Sequence, residues 1–473
     1  MRIDKVYSYF AFIAVIVLII AFFFGSTGVV RDDPARNIII PDELLTEIKV
    51  KVAYNDKDVF WRLQWPSEHG SIYHDYLVYE DGKWVRYGRS VPGPEPQKIY
   101  EDRFTMFVDD GAVENFAQYG GFITVSEGMR FMTSMADPEE AKKHVGIDEV
   151  RKFLPETRYV PGDWRTKRSK DELEKLVDAG YFLDFWHWRS HRSNPIGYAE
   201  DTFLLDDRKA DKGAMFSTNW DGDAKAPKFM FDPQKTGIYA LNWDKIKNLE
   251  YTMNDIYYLS SDMTVKFDPA HKWKNGDVIP RRLLGPPSGS RADIASKAIW
   301  LEGNWMLDLT RAMDTGNYRD DKMFSHMGKY NIAMAVHKNS TGTRWHYVSF
   351  PHTLGFGRDA EIQAKKFEGA AVPWDEIEWV TIKLFYPGQI TWDHAVNIKE
   401  HAGAKSVKMG IPMKKAHSEE EIAYYSIESE FRSEILSRWI LTTLVLMFFT
   451  AALISGIVMV LTKDRNTALK GGN

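Results

Sequence analysis

The 473-residue chain contains no cysteine. Disulfides, thiolate zinc sites, iron–sulfur clusters and covalently attached c-type haem are excluded together. Any metal must be held by His, Met, Lys, Tyr or carboxylate, or arrive inside a cofactor. A charge excess is missing too: 61 Lys and Arg face 66 Asp and Glu, for a formal net charge of -5. Without a basic face, nucleic acid is not an expected partner. The sequence has no nucleophile elbow, P-loop or paired catalytic carboxylates. Between the termini it carries no internal repeat or low-complexity tract. It is rich in large rings, with 16 Trp, 22 Tyr and 27 Phe. That supply suits one large β-rich domain with insertions, or two smaller domains.

Two apolar runs bracket the chain. Residues 7–30 read YSYFAFIAVIVLIIAFFFGSTGVV after Arg2 and Lys5. The uninterrupted part, 10–24, is short for a span, but the flanking Gly, Ser and Thr cost little in a bilayer. A cleaved signal peptide is the rival reading; an uncleaved anchor over residues 1–30 is expected. Residues 439–461, WILTTLVLMFFTAALISGIVMVL, carry no charge and open on an interfacial Trp. Lys463, Arg465 and Lys470 follow, so the positive-inside tendency puts both termini and a 462–473 tail in the cytoplasm. Residues 31–438 are then extracytoplasmic, and membrane lipid is the first expected partner. Ser418 with Glu421 forms a possible capping box that opens a helical stalk, residues 418–438, running into the membrane.

The outer domain, 31–417, reads as mainly β. Ile48, Val50, Val52 and Tyr54 alternate before a polar turn, and Val59, Trp61, Leu63 and Trp65 alternate after it, predicting a hairpin. Further strand-like runs cover 298–309, 330–336, 345–350 and 378–385. Their spacing favours an antiparallel sandwich or barrel over alternating βα units. Helical patterns concentrate in an insertion at 137–180. There Asp137-Pro138-Glu139-Glu140 and Ser169 with Glu172 give helix starts, and Gly180 gives a stop.

Three stretches invite chemistry. FLDFWHWRSHRSNPIGYAED, residues 182–201, places His187 and His191 four apart, on one face if the segment is helical. The zincin pattern is not met, because Trp188 stands where Glu is needed. The alternative is that these are hydrogen-bonded histidines in an aromatic core. Met129, Met132 and Met135 offer thioether sulfur, a possible axial haem ligand or a flexible core filler. His337, His346 and His352 form the third group; alternation puts His346 on a face with Val348 and Phe350. NWDGDAKAPKFMFD, from Asn219, lacks the glycine and late glutamate of a calcium loop and reads as a turn. Asn339 begins one glycosylation sequon.

FWHWRSHRSNPIGYAED, GPPSGSRADIASKAIWLEGNWMLDLTRAMDTG and WHYVSFPHTLGFG occur in order and, with EDRFTMF and NDKDVFWRLQWPS, resemble one family. It is the haem-binding domain of ethylbenzene dehydrogenase and dimethylsulfide-dehydrogenase-type gamma subunits. The resemblance covers most of residues 46–400. It implies an antiparallel β-sandwich, with helical insertions, that holds one haem for electron transfer. Some relatives attach haem through cysteines in a segment resembling YGGFITVSEGMR; here Gly121, Val125 and Ser126 occupy those positions, so haem b would be non-covalent. Soluble relatives use Met and Lys as axial ligands. Met129 or Met132 fits that arrangement, and no Lys is placed by motif. A span at each end instead resembles the layout of the archaeal cytochrome b558/566 large subunit. That likeness implies partners among respiratory-complex subunits, of cytochrome b/Rieske or molybdoenzyme type.

The leading expectation is a membrane-anchored, extracytoplasmic b-type cytochrome, an electron-transfer subunit and not itself an enzyme. His187, His346 and Met129 or Met132 supply at most two axial ligands, and Trp186 and Trp188 wall the macrocycle. Arg189 or Arg192 pairs with haem propionates, the alternative for both being a solvated surface. A haem-free scaffolding subunit of a respiratory complex is the second reading. A zinc hydrolase built on His187 and His191 is the third, and it lacks a placed base.

Overall fold

Alternating apolar residues build most of the architecture. The computed structural model describes residues 45–88, 99–113, 116–117, 120–121, 137–160, 163–210, 212–338, 346–385 and 428–470, with Phe12, Val15 and Ile16. The expected hairpin is present as β1 (Leu45–Tyr54) and β2 (Asp58–Pro66), with Val52 opposite Trp61. Asn55 closes its turn by accepting from the backbone N–H groups of Lys57 and Asp58, each at 2.8 Å. All eight alternating residues named for this hairpin are buried.

Eight further strands extend it: β3 (Arg103–Asp109), β4 (Leu183–Arg189), β5 (Tyr198–Leu204), β6 (Ile294–Leu301), β7 (Asn304–Ala312), β8 (Lys329–His337), β9 (Tyr347–Val348) and β10 (Val380–Phe385). Their order is β1-β2-β7-β6-β5-β4-β3-β8-β9-β10 and back to β1, antiparallel at every step. A purely antiparallel ring closes only with an even strand number, and ten meets that condition. The mainly antiparallel β expectation therefore holds, but the strands form a closed barrel in place of the two separate sheets of a sandwich. The physical reason is that β1 pairs on both edges, with β2 and with β10, so no sheet edge is left there to separate two layers. The seam beside two-residue β9 is reinforced further along by two strands, His352–Phe356 on β8 and Ile362–Lys366 on β1.

The run expected over 298–309 is in fact a hairpin. Glu302 and Gly303 both take positive φ, 50° and 77°, which is the twist a two-residue connection needs. Inside the barrel Trp65 stacks at 27° on Phe104 and on Trp305, and Trp188 meets Trp305 edge-on at 5.0 Å. The segments between β2 and β3 and between β5 and β6 form small sheets. One of them joins Tyr76–Glu80, Lys83–Tyr87, Asp277–Pro280 and Leu241–Asn242. Its buried side chains, Tyr76, Val78 and Ile279 among them, continue the barrel core.

The helical insertion is present. The Asp137 carboxylate accepts from the N–H groups of Glu139 and Glu140 to start α1 (Pro138–Val145), and Ser169 with Glu172 forms the capping box of α2 (Lys170–Asp178). The last element is α3 (Glu428–Lys470), with an exposed stretch, Ile440–Lys463, of mean hydropathy 2.7. It is long and apolar enough to cross a membrane. The helix runs unbroken from the expected stalk through most of the expected tail. Residues 418–427 lie outside the described residues, as does the N-terminal anchor apart from Phe12, Val15 and Ile16.

Candidate functional site

The segment expected to be helical or aromatic core around His187 is a strand, and its period of two divides the candidate residues. Trp186 and Trp188 point into the barrel, where Trp186 meets Trp61 and Trp188 meets Trp65, both edge-on. Phe185, His187 and Arg189 point outward. The two tryptophans therefore cannot wall a group bound beside His187; they belong to the opposite face. His191 comes after the strand ends, so it shares no helix face with His187. Its Nδ1 donates to the Ile72 carbonyl at 2.7 Å, among the rings of His74, Tyr76 and Tyr257.

Register assembles the outer face. Glu200, His187, Thr105 and Ala335 lie in one row across β5, β4, β3 and β8, and Arg189, Arg103 and His337 lie in the next. Although these residues face away from the barrel interior, they are buried: His187 is 6% exposed, Arg189 3% and His337 7%. His346 stacks on His337 with ring centroids 4.6 Å apart and planes 10° apart. Parallel rings this close could not approach a single metal ion from opposite sides.

Charge on this face is unbalanced. Glu200 takes Arg189 at 2.7 Å, Arg208 at 2.5 Å and Arg291, while Glu101 takes Arg192 at 2.5 Å and Arg103 at 3.2 Å. Among the described residues, five guanidiniums thus meet two carboxylates. Phe216 lies against Arg189 and Arg192, its ring within 5.6 Å and 5.1 Å of the two guanidiniums. Burial, reinforced by Arg192 and Arg208, pushes Arg189 well below its ordinary value. Burial with Arg192 and Arg103 brings Arg208 down to about 9. Burial opposes the ionisation of Glu101, yet Arg192 and Arg103 hold it down to about 2. Such a surplus of desolvated positive charge is an anion-binding arrangement.

His187 sits at the focus of it. Its Nδ1 accepts from Arg189 Nη2 at 3.0 Å and Arg208 Nη1 at 3.1 Å. A ring nitrogen facing two guanidiniums must carry the lone pair, so the proton resides on Nε2. Burial, then Arg189 and Arg208, push His187 well below the usual imidazole value and keep it neutral. Its buried Nε2–H has no hydrogen-bond partner among the described residues. The group is a donor waiting for an acceptor, and in this tautomer it is not a metal ligand.

Met129 and Met132 lie outside the described residues. The chain enters that segment from the outer face, since an added Cβ on Gly121 would stand 2.7 Å from the Phe107 ring. Arg192, expected either at a propionate or in solvent, is instead held by Glu101. His352 Nδ1 lies 3.6 Å from Glu361 at the surface, away from the cluster. The stretch after Asn219 is the expected turn, with Asp221 accepting from Asp223 and Ala224 N–H groups. Arg103, Arg208, Arg291, Glu101 and Glu200 were not singled out from the sequence. For Arg103 a signal existed: alternation in EDRFTMF puts it on one face with Thr105 and Phe107.

A family model described as Ethylbenzene dehydrogenase matches residues 26–349. That is well over half of the chain, and the chain belongs to this family. A search of curated proteins finds no match.

Proposed function

From membership of the ethylbenzene dehydrogenase family, we propose that this chain is a membrane-anchored electron-transfer subunit carrying a non-covalent b-type haem. The outer face of β3, β4 and β8 would hold the haem. The observation that carries this reading is the pairing of a buried guanidinium surplus with an unpartnered His187 Nε2–H. Two propionates would match both the charge deficit and the donor. Arg189 and Arg208 hold the propionate end, and Arg103 and Arg192 add field from the neighbouring row. His187 donates to a carboxylate oxygen in place of ligating iron. His346 and Met129 or Met132 are the residues that would hold the iron. Bound there, the group supplies one-electron transfer at a potential set by ligand type and burial.

The protein's own part is to hold a charged, flat cofactor dry and fixed on rigid strands. α3 tethers it beside the membrane, where subunits of a quinol-linked or molybdoenzyme-type respiratory complex exchange electrons with it. The large domain lies on the extracytoplasmic side. A haem-free scaffolding subunit is the competing reading, favoured by the cysteine-free segment around Gly121. Spectra of the full chain and of His346→Ala, Met129→Ala and Met132→Ala separate the two. Expected are a Soret band in the parent and a changed ligand signature in His346→Ala and in one Met variant. Haem-replete protein with no Soret band refutes the proposal.

A further inference from the structure

The inner face of the barrel carries a second unbalanced cluster, of opposite sign and away from the outer-face arginines. Asp184 precedes Trp186 on the inward side of β4, and Asp201 is the register partner of Trp186 on β5. Asp321 reaches them from the connection between β7 and β8. One oxygen from each of the three lies within 4.8 Å of the others, and all three residues are buried. Among the described residues, Arg311, 0% exposed in its side chain, is the guanidinium that pairs with them, 2.6 Å from Asp184 and 3.6 Å from Asp201. The nearby Lys322 ammonium is turned elsewhere, to Asp110 at 2.6 Å and the Gly180 carbonyl at 2.7 Å.

Donor accounting leaves more than spare charge. Asp184 Oδ2 accepts from Arg311 and from the Lys322 backbone N–H, and Asp321 Oδ2 accepts from the Thr315 hydroxyl. Among the described residues, Asp201, 0% exposed, has no hydrogen bond on either oxygen and only the Arg311 guanidinium at 3.6 Å; Asp321 Oδ1 has no hydrogen bond either, while the Trp186 indole N–H faces the Asp184 carboxylate. Buried carboxylate oxygens without donors are costly, and native structures supply them with a proton, a water or a cation. Fully ionised, three carboxylates against one guanidinium carry two negative charges, the complement of a single divalent ion that displaces the protons they otherwise hold.

We propose that Asp184, Asp201 and Asp321 bind one calcium ion inside the barrel end. An all-oxygen, all-carboxylate donor set selects a hard cation over zinc or copper. Calcium accepts irregular oxygen geometry and sheds its water readily, whereas magnesium retains several waters that a packed interior does not house. Arg311 spends its hydrogen bonds on Asp184 Oδ2 and the Lys322 carbonyl, and meets Asp201 only as an ion pair at 3.6 Å, so the Asp201 oxygens keep their lone pairs for an ion. The ion would tie β4, β5 and the β7–β8 connection at a barrel end that no other described cation neutralises.

The test uses the detergent-solubilised full chain, stripped with chelator and titrated with calcium alone by calorimetry, with bound metal counted by elemental analysis. Expected are about one calcium per chain and binding weakened about tenfold or more in Asp201→Asn. That variant keeps the volume and the Arg311–Asp184 pair. Terbium gives a second readout that needs no variant: the Arg311 guanidinium lies 4.7 Å from the Trp186 ring, so a lanthanide at the site sits within reach of that indole. Tryptophan-sensitised terbium emission that calcium displaces supports the site. Absence of both calcium binding and sensitised emission in the parent, or unchanged affinity in Asp201→Asn, overturns it. Haem content is unaffected by either outcome, so this site and the outer-face site fail independently.

Discussion

Glu200→Gln removes the carboxylate on which three guanidiniums converge, with Arg189 at 2.7 Å, Arg208 at 2.5 Å and Arg291 beside them. Glutamine keeps the shape and one acceptor but no charge. Taking one partner from a buried ion pair costs about 3–5 kcal/mol. Arg208, with a side chain 29% exposed, can turn toward water, which places the expected loss near the lower end, about 3 kcal/mol. That corresponds to roughly a hundredfold change in the unfolding equilibrium. Urea unfolding of the haem-free full chain in detergent, followed by fluorescence of the tryptophan-rich barrel, reads it directly. Because the variant raises the positive surplus, a bound dicarboxylate cofactor should recover part of the loss. A loss below about 1 kcal/mol, within the range of an ordinary surface ion pair, would refute the claim that this cluster is desolvated and short of anions.

Other consequences are open to simpler assays. Trp305→Ala, in the stacked barrel core, should cost about 3–5 kcal/mol in the same unfolding measurement. Burial and the neighbouring Asp184 push Asp321 up to about 8, and burial with Asp184 raises Asp201 as well, both above the unfolded value of 3.8. The folded chain therefore holds extra protons between these limits. Calcium-free protein should lose stability as pH rises from about 4 to about 8, by at most about 1.4 kcal/mol per pH unit per group. Urea midpoints in chelator across that range check the sign; with calcium bound the slope should flatten. Leu446→Arg, mid-way along the apolar part of α3, should disfavour insertion by about 2.5–3.5 kcal/mol, read as loss from carbonate-washed membranes.

Much of the fold was legible because strands announce themselves by alternation. Val52 opposite Trp61 and the Asn55 turn follow from one twenty-residue stretch, and Asp137 and Ser169 start their helices where their side chains can reach free N–H groups. Closure was not legible. It depends on β1 pairing with β10 more than 300 residues away, which no local pattern encodes. The candidate site was half visible for the same reason. His187 and Arg189 are a strand period apart and could be grouped by eye. Glu200 and Arg208 join them across the neighbouring hairpins, and His337 arrives through β3 and β8 from far along the chain. Trp186 and Trp188 misled because aromatic density in sequence says nothing of which face each ring takes. The acidic cluster of Asp184, Asp201 and Asp321 left no sequence motif at all, since its members come from three separate elements.

The most direct test of the outer-face haem proposal is a pyridine haemochrome assay on the full chain purified from haem-replete cells, run beside Arg189→Leu and Glu101→Gln. About one haem b per parent chain, with occupancy reduced in Arg189→Leu and retained in Glu101→Gln, is the outcome the charge arrangement requires. Parent protein that folds, binds calcium and carries no haem would contradict it.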